Sequence, residues 1–305
     1  VGLFQETNVE AFIEEYDWLQ VATEVANEAR FVHYDLIFAD ILKARGGFDL
    51  IVGNPPWARS VWSASRALED IDSLYAGLSA SQAKKLLAQE GFLSQTDVTK
   101  FITSYCYDNG SNTFISSLMN FPLASSGSQN IYRNFLELAW SRMSNDGNSA
   151  LIHMDGHLGT PNADLLREVW FRRVRKYFEF SNQIKNKNFA EVMNTKWFSL
   201  NIYGSERPPS FEIISSCFLA RQVDECYTDE GISPVMGPKI AGEWNVNGHK
   251  SRVVKVDSHY LEDTSKLFDQ KKENPRFLKP YDVREKLLFS KLSKNPAVET
   301  IFCDL

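Results

Sequence analysis

The stretch Phe48-Asp49-Leu50-Ile51-Val52-Gly53-Asn54-Pro55-Pro56-Trp57 constrains the fold more than any other part of these 305 residues. Its apolar, β-branched run reads as a buried strand, and the Gly and Asn-Pro-Pro-Trp that follow end that strand abruptly. Each proline fixes φ near about −65° and removes an N–H, so the backbone after Asn54 is stiff and its carbonyls lack ladder partners. Such a loop is a rigid holder for hydrogen-bond acceptors.

The chemistry that suits such a holder is methylation of a planar amino group. The exocyclic amine of adenine is a poor nucleophile because its lone pair is delocalised into the ring. Two acceptors, the Asn54 side-chain oxygen and the Pro55 carbonyl, can take its two N–H bonds and favour a pyramidal nitrogen. That gain arises as the nitrogen changes shape, so it acts on the transition state. Pro56 stiffens the loop, and Trp57 can stack on a base taken out of the duplex. The plainer reading of the same residues is a strand followed by an ordinary Pro-Pro turn.

The run Gly46-Gly47-Phe48-Asp49-Leu50-Ile51-Val52-Gly53-Asn54-Pro55-Pro56-Trp57 resembles the catalytic motif of the amino-group DNA methyltransferases that modify adenine. With the preceding Phe31-Val32-His33-Tyr34, the chain is more similar to the very large bacterial restriction–modification and phage-resistance methylases than to the compact ones, and the likeness continues to about Tyr281. The resemblance implies S-adenosylmethionine as cofactor and double-stranded DNA with a flipped adenine as substrate. It also implies that Asp40, just past a strand expected over Leu36-Ile37-Phe38, contacts the cofactor's adenine ring. A plain cap or turn role for Asp40 stays open. Phe189 falls where the family often places a second aromatic against the flipped base, opposite Trp57; core packing is the alternative.

Composition narrows the classes. A chain of this length can bury a sizeable core in one or two domains, and 43% hydrophobic with 24% charged residues is ordinary for a globular protein. No apolar run nears the roughly 20 residues of a membrane span, and no signal-peptide pattern opens the chain. Cys106, Cys217, Cys226 and Cys303 lack C-x-x-C spacing, which argues against a structural metal and fits a reducing cytoplasm. The net charge of −6 excludes a wholly basic nucleic-acid binder, yet from Lys271 onward eight Lys/Arg stand against five acids. An acidic body with a mildly basic end can still hold DNA through a local groove.

The spacing along the chain predicts an amphipathic helix over Val9 to Arg30 and a helical insertion over about 59–129, with Ser79 capping one helix. Gly110-Ser111-Asn112 and Ser125 to Ser128 read as loops within it. A helix over Ile131 to Met143, ended by Asn145-Asp146-Gly147, then leads to a strand over Ser149 to Met154. Pro161 starts another helix, followed by strands at Tyr177 to Ile184 and Lys196 to Tyr203. This alternation predicts a Rossmann-like α/β core over 1–204, mostly parallel, with ligands outside the carboxyl ends of its strands. After Ser205 the texture changes, and 205–305 reads as an α+β accessory region leading toward a DNA-recognition domain.

Other clusters carry less. Arg172, Arg173, Arg175 and Lys176 suit a helix end, with phosphate contact as the rival reading. His153, Asp155 and His157 lack the partner set for zinc or a Ser-His-Asp triad. No G-x-G turn for a nucleoside cofactor occurs in the sequence. The expectation is therefore a catalytic piece that works with the remainder of a larger polypeptide or a partner subunit, inactive when isolated. In the order 3-2-1-4-5-7-6 that the resemblance implies, strands 4, 5, 7 and 6 would lie here, with strand 4 as an exposed edge. Alternative functions are methylation of a glutamine amide or an RNA-base amine, or DNA and partner binding without activity.

Overall fold

The computed structural model describes residues 9–30, 32–59, 61–125, 130–183, 188–189, 192–268 and 275–294. It divides into two units, 1–46 and 47–305.

The first unit is helical. The helix expected over Val9 to Arg30 is two helices, α1 (Val9–Glu15) and α2 (Asp17–Ala29), because Tyr16 adopts an extended conformation between them. The strand expected at Leu36-Ile37-Phe38 is instead α3 (Tyr34–Ile37), followed by α4 (Ala39–Arg45). A three-residue strand needs a neighbour to satisfy its backbone. Here Ile37 N–H donates to His33 O and Phe38 N–H to Tyr34 O, so local bonds do so. Asp40 lies in the first turn of α4, not past a strand.

The second unit is built on a six-stranded sheet. Its strands are β1 (Phe48–Gly53), β2 (Met143–His153), β3 (Val174–Ser181), β4 (Trp197–Tyr203), β5 (Ser210–Cys217) and β8 (Val254–Asp257), ordered β1-β2-β4-β3-β5-β8; β6 (Lys239–Ile240) and β7 (Glu243–Trp244) form a separate hairpin. The β1–β2 and β3–β5 pairs are parallel, and β4 and β8 run antiparallel to their neighbours. The class is mixed α/β, and β1, β2, β3 and β5 all end on one rim. β1 stands at the sheet edge with Leu50 65% and Val52 71% exposed.

The sheet crosses the boundary expected at 204, since β5 and β8 continue it beyond β3. Phe211, Ile213, Val254 and Val256 share one core with Trp170, Tyr177 and Tyr203, so the later region supplies apolar surface that the earlier strands need.

In the insertion, α5 (Ala64–Ile71), α6 (Ala80–Leu87) and α7 (Gln95–Ile115) form as a helical group, and Ser79 makes a capping box with Gln82. Gly110-Ser111-Asn112 lies inside α7: an exposed glycine costs a helix only about 1 kcal/mol, which a 21-residue helix with a Ser94 cap tolerates. Most of Ser125 to Ser128 lies outside the described residues.

Helix α8 (Tyr132–Arg142) runs directly into β2, and Asn145-Asp146-Gly147 lies within that strand. The register jumps from Phe48 opposite Met143 to Leu50 opposite Asn148, and a Cβ on Gly147 would sit 2.6 Å from Phe48 O. Glycine there allows two backbones to approach.

The sheet's two faces carry separate cores. One, with Leu151, Tyr177 and Tyr203, packs on α8 and α10 (Asp164–Arg173) through Leu136, Trp140, Leu166 and Trp170, and on α12 (Ser258–Ser265) through Tyr260 and Leu261. Beneath its rim lies the short α9 (Gly156–Gly159). The other core gathers Phe178, Phe180, Phe198, Ile214 and Cys217 with Cys226 of α11 (Arg221–Thr228), and Trp57 and Phe189 pack against it. A final helix, α13 (Val283–Leu292), begins at an Asp282 cap.

Candidate active site

Asn54 follows β1 directly, at the rim where the parallel strands end. Asn54 and Pro56 are exposed, Pro55 is buried and Trp57 is half-buried. Neither the Asn54 side chain nor the Pro55 carbonyl is engaged by a hydrogen bond among the described residues. The loop is tied down just beyond, where Ile131 N–H donates to Ala58 O at 3.0 Å.

Trp57 is fixed from two sides. Its indole N–H donates to Ile152 O at 3.2 Å, and its ring lies on Phe198 with centroids 5.5 Å apart and planes 27° apart. Phe198 in turn stacks on Phe180 at 5.6 Å. β4 therefore supplies the backing of the tryptophan.

Phe189 joins this group. It meets Trp57 at 5.3 Å and 80°, and Phe198 at 4.9 Å and 73°. The three separations form a nearly equilateral triangle, so Phe189 lies beside the stacked pair and not across Trp57's outer face. The opposing wall expected from the sequence is not the arrangement seen.

The residue that brings Phe189 there is Asn182, which the sequence reading missed. It is fully buried at the end of β3; its amide donates to Phe189 O and Val192 O, both at 2.8 Å, and its oxygen accepts from Phe189 N–H at 3.2 Å. A lone Asn after a strand looks like a turn residue, and only its burial shows its task.

Asp40 belongs to the helical unit, exposed and without a side-chain hydrogen bond among the described residues. Its carboxylate is thus available to a hydroxyl or amine of a ligand.

Next to the loop, the end of β2 is held by a buried polar network. His153 donates from Nδ1 to Met154 O at 2.8 Å, which leaves Nε2 to accept from Tyr203 OH at 2.6 Å. Burial lowers its pKa, opposed by the Asp155 charge, so the imidazole is neutral. Asp155 accepts from Ser199 at 2.5 Å and Tyr177 at 2.6 Å, with the Lys279 ammonium 3.7 Å away. Lys279 also pairs with Glu179; burial disfavours its charge, but the two carboxylates prevail and raise its pKa. Asp155 is therefore bonded to hydroxyls and not to histidine, and no metal-binding group of His, Cys, Asp and Glu occurs among the described residues.

The Arg172 cluster is committed elsewhere. Arg172 and Arg173 face Glu206 at 3.4 and 3.0 Å, Lys176 faces Glu212 at 3.3 Å, and Arg175 donates to the carbonyls at the end of α10. No helix among the described residues is long and apolar enough to cross a membrane.

No protein-family model matches this chain, and no curated protein does. Similar solved structures include a type I restriction–modification complex, at 12% identity and TM-score 0.37 over 85% of this chain and 44% of that one. Another is a modification subunit of a putative type I restriction enzyme from Vibrio vulnificus, at 9% identity and TM-score 0.36 over 93% and 67%. A third is the methyltransferase subunit of a type I restriction–modification system from Streptococcus thermophilus, at 15% identity and TM-score 0.28 over 55% of this chain. This chain covers 26% of that subunit's length.

Proposed function

We propose that the Asn54 to Trp57 loop positions the exocyclic amine of a flipped adenine in DNA for methylation, as the target-binding part of a restriction–modification or phage-defence enzyme. The observation that carries the reading is a stiff Asn-Pro-Pro loop at a parallel strand's carboxyl end. Its side-chain amide and its first proline carbonyl are both unengaged among the described residues, beside an anchored indole.

In this reading Asn54 Oδ1 and the Pro55 carbonyl accept the two amine N–H bonds and turn the nitrogen lone pair away from the ring. Stabilisation of this kind by one positioned group is worth about 10²–10³ in rate. Pro56 holds the carbonyl still, and Trp57 offers its outer face to the base, worth about 1–3 kcal/mol. Phe189 closes the side of that platform. No general base is required, since the proton leaves after the methyl arrives. S-adenosylmethionine, when bound, supplies the electrophilic methyl group.

The test is chemical. The full-length protein is incubated with S-adenosylmethionine and mixed-sequence duplex DNA, which is then digested and its nucleosides weighed. N6-methyladenine is the expected product; methylated cytosine, or methylation of protein or RNA in place of DNA, would overturn the assignment.

A further inference from the structure

An open cavity lies on the same rim, on the other side of β4 from Trp57. Its volume is about 500 Å³, and Trp197, Ser215, Ser216, Lys279, Tyr281, Glu285 and Glu179 are among the residues that line it. That volume lies within the range of small-molecule sites, about 300–1,000 Å³. Trp197 precedes Phe198 in β4, so adjacent residues wall the cavity and back the indole.

The wall is built with strain. Phe178 pairs with Ile214 but Phe180 with Cys217, so β5 carries an extra residue opposite Glu179. Ser216 absorbs that bulge at φ 57°, a left-handed conformation that a side chain disfavours. Its N–H donates to Glu179 Oε2 at 3.1 Å, and buried Arg252 holds the Ser215 and Ser216 carbonyls at 2.8 and 3.3 Å. Strained residues that persist under such bracing cluster at ligand sites.

The cavity's chemistry selects its ligand. Lys279 is bonded to Glu179 and Tyr177, with Asp155 close by, and Arg252 is bonded to carbonyls and lies over the Tyr281 ring at 4.7 Å. One oxygen of Glu285 accepts from Tyr281 N–H at 2.5 Å, while its other oxygen, the Ser216 hydroxyl and the Trp197 N–H have no partner among the described residues. Around the cavity Glu179, Asp155 and Glu285 outnumber Lys279 and Arg252, which disfavours a phosphate and favours a group with N–H donors. Two aromatic rings favour a flat body.

We propose that this cavity is a second nucleobase site, for a base that carries an exocyclic amine beside a ring acceptor. Glu285 accepts from the amine, Ser216 and Trp197 donate to ring acceptors, and the rings of Trp197 and Tyr281 flank the plane. The base can come from a free nucleoside or from a nucleic-acid strand. The site does not depend on methyl transfer by the Asn54 loop.

The experiment titrates the full-length Asn54→Ala protein, whose cavity is unaltered, with adenosine, with inosine, which lacks the amine, and with an adenine-containing single strand. Adenosine or the strand should bind; a response to the strand alone identifies a nucleic-acid source, and a response to adenosine identifies a free nucleoside. Adding Glu285→Gln, which keeps an acceptor for Tyr281 N–H, should weaken binding about tenfold, and inosine should bind about tenfold more weakly than adenosine. Adding Ser216→Gly relieves the backbone, so it should weaken binding without lowering stability. Absence of binding in the Asn54→Ala protein, or binding indifferent to Glu285→Gln and to the amine, would overturn the proposal.

Discussion

Trp57 lies on Phe198 at a centroid separation of 5.5 Å, with its indole N–H bonded to Ile152 O. The candidate stacking platform is thus built before any base arrives. Trp57→Phe keeps an aromatic face and loses that bond, a change of about 1 kcal/mol. Trp57→Ala loses the platform, at about 1–3 kcal/mol. Fluorescence anisotropy with duplex DNA mismatched at the target adenine should rank affinities as wild type, then Phe, then Ala. Equal affinities would show that the ring is core packing alone.

Asn182 has the larger structural task. Asn182→Ala strands two carbonyls and one N–H of the half-buried Phe189 and Val192, and each group left unsatisfied away from water costs about 1–3 kcal/mol. Urea unfolding should show a loss of several kcal/mol. A loss under about 0.5 kcal/mol would mean that water replaces the amide without cost.

Lys279 pairs with two carboxylates that lie a hundred or more positions earlier in the chain, Asp155 and Glu179. Lys279→Met removes the cation and leaves the buried Glu179 carboxylate, with the half-buried Asp155 beside it, unpaired, which should destabilise by about 3–5 kcal/mol. Combining it with Glu179→Gln should recover part of that loss. A double variant no better than the single one would mean that the pair is not coupled.

His157 sets the acid limb of stability. Burial, with the nearby positive charges of Arg133, Arg167 and Lys279 and the His153 ring adding to it, pushes its pKa well below the usual value, and its Nδ1 is hydrogen-bonded to Tyr132 OH at 3.1 Å. The unfolded imidazole, with a pKa of about 6.5, binds a proton that the folded one refuses. Stability should therefore fall as pH drops below about 6.5, by up to about 1.4 kcal/mol per pH unit for each such histidine. His153 adds to the same limb. Urea midpoints between pH 7.5 and 5.5 should decline in the wild type and decline less steeply in His157→Asn. A wild-type midpoint that holds or rises on acidification would contradict this.

The parts legible in sequence are those set by short-range chemistry. The Phe48 to Trp57 strand and loop, the Ser79 cap and the alternation from α8 to β4 follow from apolar period, prolines and cap residues. What was hidden depends on partners distant in the chain. Leu36-Ile37-Phe38 has strand-like composition but closes helical bonds locally. Gly147 reads as a helix stop, yet its role is to let Phe48 O approach. Phe211 and Val254 read as a separate region, although their apolar faces complete a core begun by Trp170. In the site, Trp57 was identifiable from its motif, whereas Phe198 and Asn182 have no local signal.

The central claim rests on Asn54, and its exposure makes the test clean. With no side-chain hydrogen bond among the described residues, Asn54→Ala should leave the urea midpoint unchanged. In the full-length protein, N6-methyladenine formed in duplex DNA, measured by mass spectrometry of digested product, should fall by about 10²–10³. Methylation retained at the wild-type rate in the folded variant would contradict the account.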